Sequence, residues 1–410
     1  MGAGIGGLSA ALSLHAAGID VQVIESASSL RPLGVGINLQ PHAIRELTEL
    51  GLGEQLAATG IETRELAHFD QHGNRIWGFT CGRHAGYHWP QYSVHRGELQ
   101  MILLDAVRSR LGPDAVRTGA ALSSFTQTAS GVTANLRDGV STVKADVLVG
   151  ADGLYSKVRA QLHPDEPPPL WHSGVWLWRG VTPGLPFLGG RTVAVSGANA
   201  SLKFVAYPIS RQAELRGEAL INWVAEVMLP ASQRSGGAAD WNRGGRLEDV
   251  LPWFSGWKLG WLDVPALIAG AGQILEYPMV DRDPLPSWGR GRVTLLGDAA
   301  HPMYPIGANG GSQAIVDARV LAWCLASSAS CEEGLAAYEA ARREKVNAIV
   351  LACRDMPADR LLHTVSVRAP GGFDRIEDVL TAAELAAFDD AYQTTTRSDV
   401  AALNSRPSYQ

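Results

Sequence analysis

The alternation of hydrophobic and polar residues changes character near the middle of the chain. Over the first 165 residues, apolar runs typical of buried strands alternate with helical patterns, which indicates an α/β domain with a parallel sheet. The next stretch contains short alternating runs separated by Gly, Pro and Ser, which indicates a mostly antiparallel sheet. A further buried strand and helical patterns follow. We predict a discontinuous α/β domain, an inserted β domain and carboxyl-terminal helices, divided as 1–165 with 276–345, 166–275, and 346–410.

The stretch from Val293 to Ala318 contains the clearest junction of a strand, a loop and a helix. Its apolar run ends at Gly297-Asp298, which places a carboxylate at the carboxyl end of a buried strand. A loop of small residues follows, and a helical pattern begins at Ser312. Free N–H groups and the dipole at a helix start favour negative charge. We therefore predict that this junction binds a polar or anionic ligand.

The chain begins with a glycine pattern that is typical of dinucleotide binding. Gly2, Gly4 and Gly7 fit G-x-G-x-x-G and lead into an apolar-periodic helix, and the next strand ends in Glu25. The first two glycines permit a tight turn and close approach of a pyrophosphate, and the third lets the helix pack on the strand. An acidic residue about 20 positions on binds ribose hydroxyls. Together these features favour dinucleotide binding over a chance glycine-rich turn.

Only Met1 precedes this fingerprint, where the pattern calls for a hydrophobic strand. A missing first strand opens the centre of the parallel sheet and leaves its hydrogen-bonding groups unpaired. We expect the true start to lie upstream of Met1, or the numbered chain to omit residues. A chain that begins at Met1 is expected to fold poorly.

Composition narrows the class of protein. The 410 residues have a formal net charge of −6, which argues against a nucleic-acid partner. No run of eighteen apolar residues and no signal peptide are visible, so a membrane span is not expected. The four cysteines are widely spaced without CxxC, which favours free thiols in a reducing cytoplasm over disulfides or a metal site. A monomer and a homodimer remain open.

Three other segments contain candidate ligand contacts. Arg31 begins a glycine-punctuated stretch that is either a turn or a mobile backbone lining a flat cofactor. Arg96 lies at a helix start, where the dipole repels a cation, so it contacts a phosphate or diol unless it forms a surface ion pair. Asp152 belongs to a Gly-Ala-Asp-Gly motif after a buried strand, and either binds a ligand or caps the following helix.

The inserted region is rich in aromatic residues. Eight of the twelve tryptophans lie between Trp171 and Trp261, and most are expected in the core. A sheet with so many indole rings is nevertheless a suitable wall for a planar aromatic substrate. Arg179 on one of these strands pairs either with a substrate carboxylate or with a carboxylate of the sheet, and both remain open.

Three motifs resemble those of the single-component FAD-dependent aromatic hydroxylases, the family of p-hydroxybenzoate and salicylate hydroxylases. They are the amino-terminal glycine fingerprint, the Gly-Ala-Asp-Gly motif that contains Asp152, and the strand end at Gly297-Asp298. Arg96 belongs to the same resemblance. The resemblance covers nearly the whole chain. It is greatest to the phenazine-hydroxylating branch, in the stretches RPLGVGIN, QYSVHRGELQMILL, DWNRGGRLEDVLP and YPMVDRDPLPSWGRGRVTLLGDAAH. It implies a Rossmann-like FAD-binding domain with an inserted substrate domain.

The resemblance also implies roles for individual residues. The loop from Pro305 to Gly310 is expected to lie against the flavin ring, with its N–H groups facing the pyrimidine end. That loop departs from the family pattern at Ala308, where glycine is usual, and at Ser312, where asparagine is usual. The implied FAD contacts are Gly2, Gly4, Gly7, Glu25, Arg31, Val35, Arg96, Leu122, Asp152, Gly153, Gly297, Asp298, Gly307, Asn309 and Gly310. Asp152-Gly153 is associated with NAD(P)H as well.

The family's chemistry resides in its cofactor. NADH or NADPH reduces FAD, O2 adds at the flavin C4a, and the hydroperoxide hydroxylates an electron-rich ring such as a phenazine carboxylate. No protein nucleophile is required, so the catalytic candidates are limited to Pro305 and Gly307 beside the flavin and to His301, for which a structural hydrogen bond is favoured over a general-base role. The substrate candidates are Arg179, Tyr207, Trp223 and Tyr304.

Other functions remain open. Within the class, a salicylate-, hydroxybenzoate- or indole-type substrate is the nearest alternative. An FAD-dependent dehydrogenase or reductase shares the same nucleotide fold, and a flavin-holding or ligand-sequestering protein is a third possibility.

Overall fold

The computed structural model describes residues 1–169, 174–199, 202–230, 243–355, 357–396 and 399–409. Its strands are β1 (Val23–Ile24), β2 (Gly36–Leu39), β3 (Ile61–Thr63), β4 (Glu65–Asp70), β5 (Arg75–Thr80), β6 (Gln91–His95), β7 (Val116–Arg117), β8 (Leu122–Thr128), β9 (Gly131–Leu136), β10 (Thr142–Ala145), β11 (Leu148–Gly150), β12 (Val175–Gly184), β13 (Thr192–Asn199), β14 (Leu202–Pro208), β15 (Ala219–Met228), β16 (Ile274–Pro278), β17 (Gly289–Arg290) and β18 (Val293–Leu295).

Helices flank these strands and make up most of the chain after residue 308. They are α1 (Ile5–Ala16), α2 (Pro41–Glu49), α3 (Gly53–Thr59), α4 (Arg96–Leu111), α5 (Lys157–Leu162), α6 (Arg211–Leu215), α7 (Leu247–Phe254), α8 (Val264–Ala269), α9 (Asn309–Ser327), α10 (Cys331–Asp355), α11 (Pro357–Arg368), α12 (Ala382–Thr396) and α13 (Val400–Ser405). In the described ranges no helix combines the length and apolar character needed to cross a bilayer.

The amino-terminal region contains two sets of parallel strands. β1 pairs with β7, and β11 pairs with β18. The first two residues link these sets, because the N–H of Gly2 donates to the Ile24 carbonyl (2.7 Å) and the Met1 carbonyl accepts from Ala151 (2.8 Å). Beside this link, a cavity of about 620 Å³ separates β1 from β11. Met1 and Gly2 therefore lie between the two sets of parallel strands.

The inserted region forms one large sheet with the strand order β16-β12-β15-β14-β13-β4-β5. All neighbours are antiparallel except β13 and β4. The mostly antiparallel sheet expected for residues 166–275 is present, but it also includes β4 and β5 from the amino-terminal region. Pairing between strands this far apart in sequence is set by tertiary packing rather than by local pattern.

The large sheet has two faces of different composition, because neighbouring residues on a strand point to opposite sides. Trp176, Trp178 and Trp223 lie on one face and pack with α7 and α8 in an apolar cluster. Leu177, Arg179 and other alternate residues lie on the opposite face. The tryptophan-rich face is therefore core, and the opposite face is available for a ligand.

The carboxyl-terminal helices cover part of the second face of the large sheet. α11 packs on β13, with Leu362 directly against Gly197. Tyr392 of α12 contacts the rings of His68, Trp77 and Phe79. These helices complete the walls of the space above the sheet.

Candidate active site

The glycine fingerprint forms an open turn at the start of α1. Gly4 precedes the helix without any side-chain cap, so the N–H groups of the first turn remain available. A Cβ on Gly4 would meet nothing within 4 Å, whereas a Cβ on Gly7 would lie 1.9 Å from the Gly2 carbonyl oxygen. Gly2 itself has φ +102° and lies against Ala151. Gly4 therefore faces the open side, while Gly2 and Gly7 permit close packing.

Glu25 lies directly beside this turn. Its carboxylate accepts hydrogen bonds from the N–H of Ala3 (2.7 Å) and of Ala27 (2.7 Å). The N–H of Ala120 donates to the Glu25 carbonyl, which brings the start of β8 at Leu122 to the same edge. The Leu122 side chain is buried, so only its backbone is positioned for a ligand contact.

Two exposed arginines border the same region. The N–H of Arg96 donates to the carbonyl of the buried Val35 (2.9 Å), which ties the start of α4 to the segment that follows Arg31. Neither Arg31 nor Arg96 forms an ion pair within the described part of the chain. A phosphate would give these cations the counter-charge that the protein does not provide.

Asp152 has a clear structural role. Its carboxylate accepts hydrogen bonds from Ser156 Oγ and from the N–H of Lys157 at the start of α5. The helix-cap alternative is therefore observed. Gly153, with φ +76° and open space around its Cα, is the part of this motif that a ligand could approach.

The Gly297-Asp298 turn rests on a buried charge network. The N–H of Gly297 donates to Asp317 Oδ2 (3.3 Å), which also bonds His301 Nε2, while Arg342 Nε donates to Asp317 Oδ1 (2.7 Å). Burial opposes ionisation, but His301 and Arg342 lower the pKa of Asp317, so it stays charged. His301 thus holds the turn in place and does not face the cavity described below, as the favoured sequence interpretation requires.

Asp298 projects from this turn beside the amino terminus of α9. It is exposed, and it bonds to no group in the described ranges. Gly310 lies close to it, since a Cβ there would be 3.8 Å from Asp298 Oδ1. Asn309 begins α9 without a side-chain cap before it. A carboxylate and free helix N–H groups therefore meet at one point, as the sequence predicts.

The loop between Pro305 and α9 has an unusual backbone. Gly307 has φ +69° and Ala308 has φ +55°, so the alanine adopts the left-handed conformation that glycine favours. Gln40 Nε2 donates to the Gly307 carbonyl (2.8 Å), and Ser312 Oγ accepts from the Gln40 N–H (3.0 Å). Ala308 thus adopts a backbone conformation typical of glycine, and Ser312 ties the loop to the residue after β2.

A cavity lies between this loop, β2 and the tryptophan-free face of the large sheet. Of the residues predicted from sequence, Arg179, Tyr207, Pro305 and Gly307 line it. Strand register places one row of side chains across its floor, in the order Arg179, Val224, Val205, Val195 and His68. The floor is therefore apolar in the middle and polar at both ends.

Arg179 lies at one end of this floor without a carboxylate partner. It donates from Nη1 to Tyr277 Oη and from Nη2 to the Gly36 carbonyl (3.1 Å), and no ion pair to it exists in the part of the chain that the structure describes. Its Nε is buried and has no hydrogen-bond partner. Burial raises the pKa of the adjacent Tyr207 to about 12, so that phenol is neutral. Among the described residues, Arg179 therefore has hydrogen-bond partners in Tyr277 and Gly36 but no counter-ion.

Two predicted substrate residues are placed elsewhere, and the structure corrects both. Trp223 lies on the opposite face, where its Nε1 donates to Thr182 Oγ1 (3.1 Å) and its ring stacks on Phe204. Tyr304 is buried in the cluster with Tyr277 and Cys353, outside the cavity lining. Tryptophan content misled the interpretation, because Trp178 and Arg179 are neighbours on one strand and must point to opposite faces.

The cavity residues that were not predicted include His68, Lys203, Glu226 and Asp359. Glu226 could have been identified from the sequence, because a charged residue within the mostly apolar strand β15 is rarely buried without a partner. Lys203 could have been identified too, because alternate residues of a strand share a face, and Lys203 alternates with Val205 and Tyr207. Nothing local marks Asp359, since it reaches the site from a carboxyl-terminal helix.

Comparison with known proteins agrees with this geometry. The family described as FAD binding domain matches residues 1–172 and 280–352. The chain is 54% identical to phenazine 1,6-dicarboxylic acid hydroxylase PhzS of Lysobacter antibioticus, over 88% of this chain and 90% of that protein. It is 36% identical to aurachin C monooxygenase/isomerase of Stigmatella aurantiaca, over 85% of each chain.

A solved structure has the same fold. Klebsiella pneumoniae HpxO, complexed with FAD and uric acid, superposes with a TM-score of 0.74 at 27% identity and covers 96% of this chain and 91% of its own. The predicted fold class, FAD dependence and enzyme class are confirmed. The chain belongs to the FAD binding domain family and is an FAD-dependent monooxygenase of the aromatic hydroxylases.

Proposed function

We propose that the substrate is a planar, multi-ring aromatic carboxylate of the phenazine class. The observation that carries this proposal is the floor of the cavity. Arg179 and His68 lie four strands apart, which corresponds to about 19 Å at the usual strand spacing. Three valines, Val224, Val205 and Val195, lie between them and provide a continuous apolar surface. A single benzoate ring would cover only part of that surface, whereas fused rings would bury far more of it.

The PhzS relative, a phenazine 1,6-dicarboxylic acid hydroxylase, supports the same substrate class. Arg179 would bind the substrate carboxylate with its guanidinium group, which has no counter-ion among the described residues. The valine floor would exclude water from the ring to be hydroxylated. Regiochemistry would then follow from the distance between the anchored carboxylate and the loop from Pro305 to Ala308.

The residues at the amino-terminal site fit FAD. The open glycine turn, the uncapped starts of α1 and α9, and two unpaired arginines are what a dinucleotide with a pyrophosphate needs. Glu25 would contact a ribose, and Arg31 and Arg96 would contact phosphate. When bound, FAD accepts hydride from NADH or NADPH and activates O2, so that one oxygen atom enters the ring and the other leaves as water.

The test compares substrates on the purified FAD-loaded enzyme. We expect phenazine carboxylates to accelerate NAD(P)H oxidation and O2 uptake and to yield a product that carries one 18O atom from 18O2. Salicylate and 3-hydroxybenzoate, as single-ring acids, should give less than a tenth of that rate. Equal or faster hydroxylation of the single-ring acids would contradict the multi-ring proposal. Anaerobic turnover with an artificial acceptor and no 18O incorporation would identify a dehydrogenase instead.

Arg179 gives the sharper version of this test. Replacing Arg179 with Gln should raise the Kd for the phenazine carboxylate by at least tenfold, because a buried charge-assisted contact is lost. Replacement of the surface residue Arg211 by Gln is the matched control and should leave the Kd unchanged. An uncharged phenazine should bind both variants equally.

We also propose that the enzyme works as a monomer or homodimer in the cytoplasm. All four cysteines are free thiols, and three of them are buried, which suits a reducing compartment. Sedimentation velocity would determine the oligomeric state, and cell fractionation would determine the compartment.

A further inference from the structure

A second charged group lies in the cavity, away from Arg179. Lys203 Nζ is 2.9 Å from Glu226 Oε2 and 2.9 and 3.1 Å from the two Asp359 carboxylate oxygens. We call these three residues the far-end cluster. Their side chains are largely buried, and they join β14 and β15 to the first turn of α11.

The far-end cluster and Arg179 differ in how their charge is balanced. Arg179 has no carboxylate partner in the described ranges, whereas both carboxylates of the cluster share the single ammonium group of Lys203. Burial lowers the pKa of Lys203, but Asp359 and Glu226 outweigh burial and raise it, so the ammonium stays charged. Burial, with Asp359, raises the pKa of Glu226, and the charges of Lys203 and Arg179 oppose that shift. The cluster therefore has no unshared positive charge.

Strand register fixes where the cluster lies relative to Arg179. Leu177, Glu226 and Lys203 form the row next to Arg179, Val224 and Val205. Lys203 is two strand spacings and two residues along the strand from Arg179, which corresponds to about 12 Å between their Cα atoms. A fused-ring substrate with its carboxylate on Arg179 and its rings over Val224 and Val205 would therefore lie beside the far-end cluster.

We propose that the far-end cluster is a specificity determinant that selects substrates with a single carboxylate. This inference rests on the proposed function. One carboxylate binds Arg179, while a second one on the distal ring would approach Glu226 and Asp359 and find Lys203 already engaged by both. Like charges in a partly desolvated site repel strongly. The chain would thus prefer a mono-acid where its PhzS relative is named for a diacid.

The experiment measures two dissociation constants on the FAD-loaded enzyme, from the flavin absorbance change. The ligands are a phenazine with one carboxylate at position 1 and the phenazine 1,6-diacid. We expect the wild-type chain to bind the mono-acid at least tenfold more tightly. Asp359→Asn releases part of the Lys203 charge, so it should tighten binding of the diacid at least threefold more than binding of the mono-acid. Glu226→Gln should act in the same direction.

The matched control is Glu377→Gln, which removes an exposed carboxylate paired with Arg375 elsewhere. It should leave both constants unchanged. If the wild-type chain hydroxylates the mono-acid but binds the diacid equally well, or if Asp359→Asn and Glu226→Gln behave like the control, this inference is wrong and the proposed function stands. If neither acid binds or is hydroxylated, the proposed function fails, and the inference with it.

Discussion

At the scale of single residues, Ala308 has a conformation that its side chain disfavours. The left-handed region costs an L-residue about 1–2 kcal/mol, and glycine avoids this cost but loses more entropy on folding. We expect Ala308→Gly to change the free energy of unfolding by between zero and about +1 kcal/mol, measured by urea denaturation. In contrast, Ala337→Gly on the exposed side of α10 should cost about 1 kcal/mol. Equal destabilisation by both would show that Ala308 is not strained.

The pKa values of two buried histidines predict how the free energy of unfolding changes in acid. Burial, with smaller contributions from nearby cations, lowers the pKa of His42 and of His68 to about 3. The unfolded chain binds these protons near pH 6.5 and the folded chain does not, so stability rises with pH between about 3 and 6.5. Each histidine should contribute a slope of about 1.4 kcal/mol per pH unit in that window.

Urea unfolding of wild type and His68→Gln between pH 4 and 8 measures this slope. The variant should lose stability less steeply below pH 6.5 and should match the wild-type slope above pH 7. Parallel stability curves over the whole pH range would mean that His68 is protonated as readily in the folded chain as in the unfolded chain.

Sequence reasoning at this scale succeeded where residues belong to a local motif. Gly4 and Asp298 face open space at helix starts because fingerprint and strand-end geometry fix them. It failed for Trp223, Tyr304 and Asp359, since their positions depend on which sheet face or distant helix packs against the site. Composition near a strand does not determine which face is buried.

At the scale of elements, the network around Asp317 joins α9, α10 and the Gly297 turn. Arg342 Nη2 also donates to Gln313 Oε1 (2.6 Å), so this guanidinium is fully buried and paired. Replacing Arg342 with Gln leaves Asp317 short of a partner, which typically costs about 3–5 kcal/mol. The adjacent Arg343 forms only a half-exposed ion pair with Glu339, so Arg343→Gln should cost below about 1 kcal/mol.

Chemical denaturation and the fraction of FAD retained after gel filtration would test this pair. Arg342→Gln should lower both, because the Gly297-Asp298 turn loses its support. If the two neighbouring variants are equally stable and retain equal FAD, the network does not hold the turn.

Helices and strands were predicted well where the period of hydrophobic residues determines them. The partners of each strand were predicted poorly, because pairing depends on residues far away in the sequence. The alternation in β12 to β15 correctly indicated an antiparallel sheet. The sequence did not predict that β4 and β5 belong to this sheet, because nothing in residues 65–80 indicates that β4 pairs with β13. A boundary drawn at residue 166 therefore describes the chain order but not the extent of the sheet.

At the scale of the whole molecule, the carboxyl terminus binds back onto the FAD-binding region. Arg45 donates to the carbonyls of Leu403 (2.8 Å) and Arg406, and Arg406 pairs with the buried Glu46. Arg319 supports the same carboxylate from α9. The sequence predicted helices here, but not this contact, because residues 45 and 406 are separated by almost the entire chain.

A chain that ends after residue 398 tests what this contact contributes. Removal of α13 and the residues after it leaves Glu46 with Arg319 alone and exposes apolar surface around Leu403. Since the Arg406 pair is only partly buried, we expect a loss of about 2–3 kcal/mol in the free energy of unfolding, with weaker FAD retention. Substitution of Arg375 by Gln, in an exposed pair, is the control and should change neither. Unchanged stability of the shortened chain would mean that the terminus lies on the surface without supporting it.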